Sequence, residues 1–131
     1  MDQLVPPGTD RLLAAARAVI DRVGPEELEK VVADGGLVVD IRPAAQRADE
    51  GSLPGAVVIE RNVLEWRLDP VGPDRLAAVR GRSQRVVVVC SAGYAPSLAA
   101  ASLRQLGLER AADLEGGYQA WLAWRAGSAS R

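Results

Sequence analysis

A chain of 131 residues with 16 basic and 17 acidic side chains fits one domain. Its net charge of -1 and scattered arginines beside one lysine, Lys30, offer no basic stripe for nucleic acid. Histidine is absent and cysteine occurs once, which excludes an internal disulfide, a zinc site of Cys and His donors, and Ser-His or Cys-His catalysis. Any nucleophile must therefore be activated by its local field rather than by a titrating base, and no metal or cofactor is expected.

Residues 1–8 read as a loose tail. Leu12, Leu13, Ala16, Val19, Ile20 and Val23 then recur at helical spacing, with Thr9 or Asp10 as cap and Gly24-Pro25 as stop. The apolar stretch Leu12 to Ile20 is broken by Arg17 and has no clear cleavage site. It is neither a leader nor a membrane span, and a lone reactive thiol suits the reducing cytoplasm. Pro25 suits the first position of a second helix, with Glu26, Glu27 and Glu29 at its positive end and Gly35-Gly36 as terminator.

Three short apolar runs follow: Leu37 to Ile41, Ala56 to Ile59, and Arg85 to Cys90, with Ala111 to Leu114 a weaker fourth. Four consecutive valines, Val86 to Val89, do not alternate with polar residues, the mark of a strand covered on both faces. Helical patterns lie between the runs, notably Pro96 to Leu106 with Gly107 after it, and Tyr118 to Arg125; a short helix over Asp74 to Arg80 is also expected. Alternation of strand and helix predicts a parallel α/β sheet.

The chemistry concentrates in Cys90-Ser91-Ala92-Gly93-Tyr94-Ala95-Pro96. In open α/β sheets, ligands bind beyond the carboxyl ends of the strands, which is where this cysteine falls. Gly93 lets main-chain amides turn inward as an anion-binding nest, and the helix opening near Pro96 points its positive end at the loop. Both effects favour a thiolate over a thiol. The bland alternative is a cysteine serving as a small buried hydrophobe.

Four separate stretches resemble the rhodanese-like domains, over roughly Val23 to Arg125. Val38-Val39-Asp40-Ile41-Arg42-Pro43 is similar to the family's strand ending in Asp-x-Arg, and Gly51-Ser52-Leu53-Pro54-Gly55-Ala56 to its Gly-His-Ile-Pro-Gly-Ala turn. Cys90 to Ala95 resembles the six-residue active loop that opens on the nucleophile, and Leu114 to Trp121 the closing Gly-Gly-aromatic-x-x-Trp signature. The N-terminal helix, Glu60 to Arg67 and Gly93-Tyr94 look like a bacterial subgroup of single-domain members. The resemblance implies a three-layer α/β domain, with a central, mostly parallel sheet of about five strands flanked by helices, plus an extra N-terminal helix. Its boundaries fall at 1–22 for tail and helix, 23–126 for the domain and 127–131 for a C-terminal tail.

The resemblance also implies a sulfurtransferase. Cys90 takes sulfur from a small anionic donor such as thiosulfate, holds it as a persulfide and passes it to a thiol or protein acceptor. Ser91, Ala92, Gly93, Tyr94 and Ala95 form the active loop, Asp40 organises it, and Arg42 and Arg61 are candidate substrate ligands. Arg42 reads equally as a structural partner of a carboxylate, and Tyr94 as lid or packing. Ser91 and Ala95 stand where the family often has arginine, and Pro96 stands where a phosphatase-type loop needs one. Two other readings stay open: a persulfide relay or regulatory module working with a partner protein, and an interaction domain in which Cys90 is incidental.

Overall fold

The computed structural model describes residues 5–129. Five strands, β1 (Asp21–Val23), β2 (Leu37–Asp40), β3 (Val57–Val58), β4 (Val86–Val89) and β5 (Ala111–Leu114), form one sheet in the order β1-β5-β4-β2-β3. Every pairing is parallel. The valines of β4 explain its central place. All four are buried, Val86 and Val88 in one core and Val87 and Val89 in the other, so the strand has no polar face to give to water.

Six helices complete the domain: α1 (Gly8–Arg17), α2 (Leu28–Ala33), α3 (Ala44–Glu50), α4 (Leu64–Leu68), α5 (Ala95–Gln105) and α6 (Gly117–Ala129). One core holds Ala99, Ala100 and Leu103 of α5 with Leu64 and Leu68 of α4; the other holds Leu28 of α2 with Tyr118 and Trp121 of α6. The result is helix, sheet, helix, as expected. α1 packs outside the first layer, against α5.

Register sets the active edge. Asp40 lies opposite Val89 across β2 and β4, so the residues after each, Ile41-Arg42 and Cys90-Ser91, leave the sheet side by side.

Four sequence expectations are corrected. The first helix ends at Arg17 instead of running to Val23, and Asp21–Val23 becomes a strand pairing with β5. Ile20 and Val23 are buried around exposed Asp21, and the apolar residues that suggested a continuous helix stripe are partly exposed, Leu12 by 58% and Val19 by 55%. Tertiary pairing at the free side of β5 thus outweighed a periodicity that the core uses only in part. Helix α1 opens at Gly8 behind Pro7, ahead of Thr9 and Asp10. Asp74 to Arg80 forms turns; the helix of that segment is α4, whose Leu64 and Leu68, one turn apart, are both fully buried. α6 continues to Ala129, past the boundary read at 126.

Candidate active site

Cys90 is the first residue after β4, partly exposed and packed in part against the α5-side core. The chain turns at Gly93, whose φ of 93° lies in the left-handed region that glycine enters without strain. That turn brings the Gly93 amide back to the cysteine, where it donates to Sγ at 3.4 Å.

The loop owes its shape to groups outside it. At the start of α6, the Tyr118 amide donates to the Cys90 carbonyl at 2.8 Å and the Gln119 amide to the Ser91 carbonyl at 3.1 Å. These amides have no partner within their own helix, so the loop carbonyls satisfy them. The approach is close enough to require glycine: a Cβ on Gly117 would stand 2.6 Å from the Ser91 oxygen and 2.7 Å from that of Cys90. Gly93 backs onto the same turn, with the Gly116 nitrogen 3.0 Å from where its Cβ would be.

On the opposite flank, the Gly93 carbonyl accepts a hydrogen bond from Arg17 Nη2 of α1 at 3.1 Å. Among the described residues no peptide bond is cis, so each N–H points away from the carbonyl of its own peptide unit. Carbonyls held outward at Cys90, Ser91 and Gly93 therefore turn the amides of Ser91, Ala92 and Tyr94 the other way. Among the described residues, the amides of Ala92, Tyr94 and Ala95 have no hydrogen-bond acceptor. The amide just after Pro96 is not available in the same sense, since Ser97 N–H donates to the Tyr94 carbonyl at 3.1 Å. What remain are three unspent amide donors in the loop that opens on Cys90, with the Gly93 amide on its sulfur.

Arg42 and Asp40 stand behind the α6 flank. The Arg42 side chain is fully buried; Nε and Nη2 grip the Asp40 carboxylate, Nη1 reaches Glu50 and Nη2 also reaches the Gly51 carbonyl. Its guanidinium lies 3.9 Å from the centre of the Tyr118 ring. Burial disfavours the Arg42 charge, but the hydrogen bonds and charges of Asp40 and then Glu50 outweigh it and raise its pKa. The Arg42 guanidinium thus has no exposed surface, and its partners are carboxylates and a carbonyl. Asp40 also accepts from the Arg42 amide at 3.0 Å.

The remaining sequence-predicted residues scatter. Ser91 Oγ donates to Glu50 at 2.9 Å and accepts from Gln119 at 3.2 Å. Through the Ser91 bond first, and then those of Arg42 and Gln46, the Glu50 carboxyl is held below its ordinary value against the opposing effect of burial. A carboxylate thus lies beside the loop near the position where the family often puts a cation. Ala92 and Ala95 are exposed, and the Tyr94 ring is 62% exposed at the rim and outside the core. Arg61 is clamped to Glu65, which also accepts from Ser102 on α5, about 12 Å along that helix from Tyr94. Among the described residues, no hydrogen bond or ion pair joins Arg61 to the loop.

Three contributors were not anticipated from the sequence: Arg17, Glu50 and the α6 amides behind Gly116-Gly117. Only the last left a signal, the paired glycines before an aromatic residue. Arg17 stands 76 positions from its partner Gly93, and nothing in its neighbourhood marks it. Among the described residues there is no group of side chains suited to hold a metal ion, and no helix long and apolar enough to cross a membrane.

Comparison with known proteins places this arrangement. A sulfurtransferase of Allochromatium vinosum is 30% identical over 105 residues, covering 79% of this chain and 89% of its own. The solved structure of a protein of unknown function from Rhodopseudomonas palustris, described as a possible tyrosine phosphatase, superposes with a TM-score of 0.80 at 27% identity, covering 92% of this chain and 93% of that one. The human single-domain sulfurtransferase gives a TM-score of 0.63 at 27% identity, covering 78% and 95%. The pattern of the rhodanese-like domain matches residues 24–123, which takes in the Asp-x-Arg strand end, the cysteine loop and the Gly-Gly turn that holds it. On that match, and on the parallel sheet beneath it, the chain belongs to the rhodanese-like domain family.

Proposed function

We propose that the protein is a sulfurtransferase that carries sulfane sulfur as a persulfide on Cys90, with no cofactor. The observation that carries this reading is the loop itself: a partly exposed Sγ receiving the Gly93 amide, in a loop whose Ala92, Tyr94 and Ala95 amides have no acceptor. Such donors stabilise a sulfur anion both as thiolate and as persulfide, and they need no reorganisation between the two. In the first half-reaction the Cys90 thiolate attacks the outer sulfur of a donor such as thiosulfate. A new S–S bond forms, the donor's S–S bond breaks, and sulfite leaves with the electron pair. In the second, a thiolate or cyanide attacks the outer sulfur and Cys90 departs as thiolate. No proton need move to or from a side chain, which fits a chain without histidine.

A second reading is favoured by one observation. Glu50 stands against Ser91 where a cation would help a dianionic donor, so a partner protein's persulfide is the better-matched source. Phosphatase chemistry is disfavoured because position 96 is Pro, leaving no arginine at the loop's end to grip an oxyanion. A cytoplasmic setting follows the same logic of a lone reactive thiol.

Intact mass under non-reducing conditions tests the proposal. After incubation with thiosulfate the wild type should gain one sulfur atom, lose it to cyanide, and show neither change as Cys90→Ala. Loading only from a cysteine-desulfurase system would favour the relay. Absence of any adduct from either donor would sink sulfur transfer and leave the interaction-domain reading.

A further inference from the structure

We infer that Arg17, on the helix preceding the stretch matched by the family pattern, is a positioning residue of the cysteine loop. It holds the Gly93 carbonyl outward and so keeps the Tyr94 amide turned toward the sulfur. The inference rests on the proposed sulfur chemistry of Cys90 and adds to it a part supplied by α1.

Loop carbonyls at Cys90 and Ser91 are held by main-chain amides of α6, but among the described residues the Gly93 carbonyl has only Arg17. Releasing that carbonyl frees the 93–94 peptide to rotate about glycine, the residue least able to resist. The Tyr94 amide, on the far side of that peptide, would turn away with it. A guanidinium donor also forms a stronger hydrogen bond than a neutral one, and it brings positive charge to a loop in which Ser91 and Ala95 have replaced arginines.

Arg17 is itself fixed. Its Nε donates to Ser97 Oγ at 3.0 Å; that hydroxyl, fully buried, gives its proton to Asp113 Oδ2 at 2.6 Å, so it can only accept from Arg17. Asp113 is also fully buried and is gripped by Arg22 of β1 through Nε at 3.0 Å and Nη2 at 3.2 Å. The chain of contacts runs Arg22, Asp113, Ser97, Arg17, Gly93, and both arginines precede residue 24. Among the described residues, no carboxylate lies within 4.0 Å of the Arg17 guanidinium, so its charge is not cancelled by a direct ion pair.

The test uses the full chain as wild type, Arg17→Ala, Arg17→Lys and, as control on the same helix, Arg11→Ala, whose guanidinium donates to the Pro6 carbonyl. The rate of Cys90 alkylation by iodoacetamide is measured at pH 6 and at pH 9, with thermal unfolding to confirm folding. At pH 6, Arg17→Ala should react about tenfold more slowly than wild type, the scale of one hydrogen bond from a charged group. At pH 9, above the ordinary thiol value of about 8.5, the gap should close to about twofold. Arg17→Lys should regain most of the pH 6 loss, and Arg11→Ala should match wild type. A folded Arg17→Ala that reacts like wild type at pH 6 overturns the inference.

If Arg17→Ala does not fold, Arg17→Met decides: it keeps the stem's packing but has no donor, so a slower rate at pH 6 supports the role and a wild-type rate at both pH values overturns it. Sulfur loading, followed by mass on the wild type alone, keeps the two ideas apart. A wild type that alkylates with the expected Arg17 dependence but never loads sulfur contradicts the proposed function only. A wild type that loads normally, with Arg17→Ala unchanged in alkylation, contradicts only the role of Arg17.

Discussion

Two buried arginine–aspartate pairs flank the cysteine loop, and they differ in how far apart their members lie in the chain. Arg42 and Asp40 are two residues apart, and both are sealed from solvent behind the α6 flank. Arg22 and Asp113 are 91 residues apart, with the arginine 23% exposed, and they support the α1 flank through Ser97 and Arg17. On the α6 side, main-chain amides then hold the loop; on the α1 side a single side chain does. The first flank is built from a local turn and a glycine pair. The second exists only after the sheet has closed, because β1 reaches β5 across almost the whole sequence.

The largest effect should come from breaking the local pair. Arg42→Ala leaves Asp40 buried without its partner and should cost about 3–5 kcal/mol, read as a drop in the denaturation midpoint at unchanged slope. Arg22→Ala, partly exposed at its arginine, should cost less in the same measurement, which sharpens the contrast between the flanks. If the two losses are equal, burial of the pair is not what distinguishes them.

Gly117→Ala should be next. Its φ of 65° costs an ordinary residue about 1–2 kcal/mol. The new Cβ also meets the two loop carbonyls, so sulfur loading should fall by more than the stability does. Loading at the wild-type rate in a folded Gly117→Ala would show that the α6 flank does not shape the loop.

The smallest effect concerns Glu50. Because its folded pKa is depressed, its contribution to stability is complete above its ordinary value of 4.5 and is lost as pH falls through the lower folded value. Glu50→Gln should therefore flatten that acid limb, although Asp21 and Glu65, also depressed, retain limbs of their own. Removing its charge should speed loading from thiosulfate about twofold to threefold, a modest gain at a solvent-screened position. Slower loading would mean that the carboxylate helps the donor.

Much of the fold was legible because burial on both faces leaves a plain trace. The valine run of β4, the Leu37–Ile41 run and the Cys90 loop were all read where they stand. β1 was misread because Ile20 and Val23 continue a helical spacing, and only pairing with β5 makes Asp21–Val23 a strand. α3 left no apolar stripe to find, since none of its residues is buried. At the site, Cys90, Gly93 and Asp40 could be placed from local pattern. Arg17 and Glu50 could not, because their partners lie 76 and 41 residues away and no local chemistry anticipates such a meeting.

The most direct test follows the loop amides by nuclear magnetic resonance as the protein takes up sulfur. Hydrogen bonding to a persulfide should move the amide protons of Ala92, Gly93 and Tyr94 downfield on loading, while Tyr118 and Gln119, committed to loop carbonyls, should hardly move. A protein that gains sulfur by mass with those three amides unmoved would mean that the anion is held by something other than the main chain.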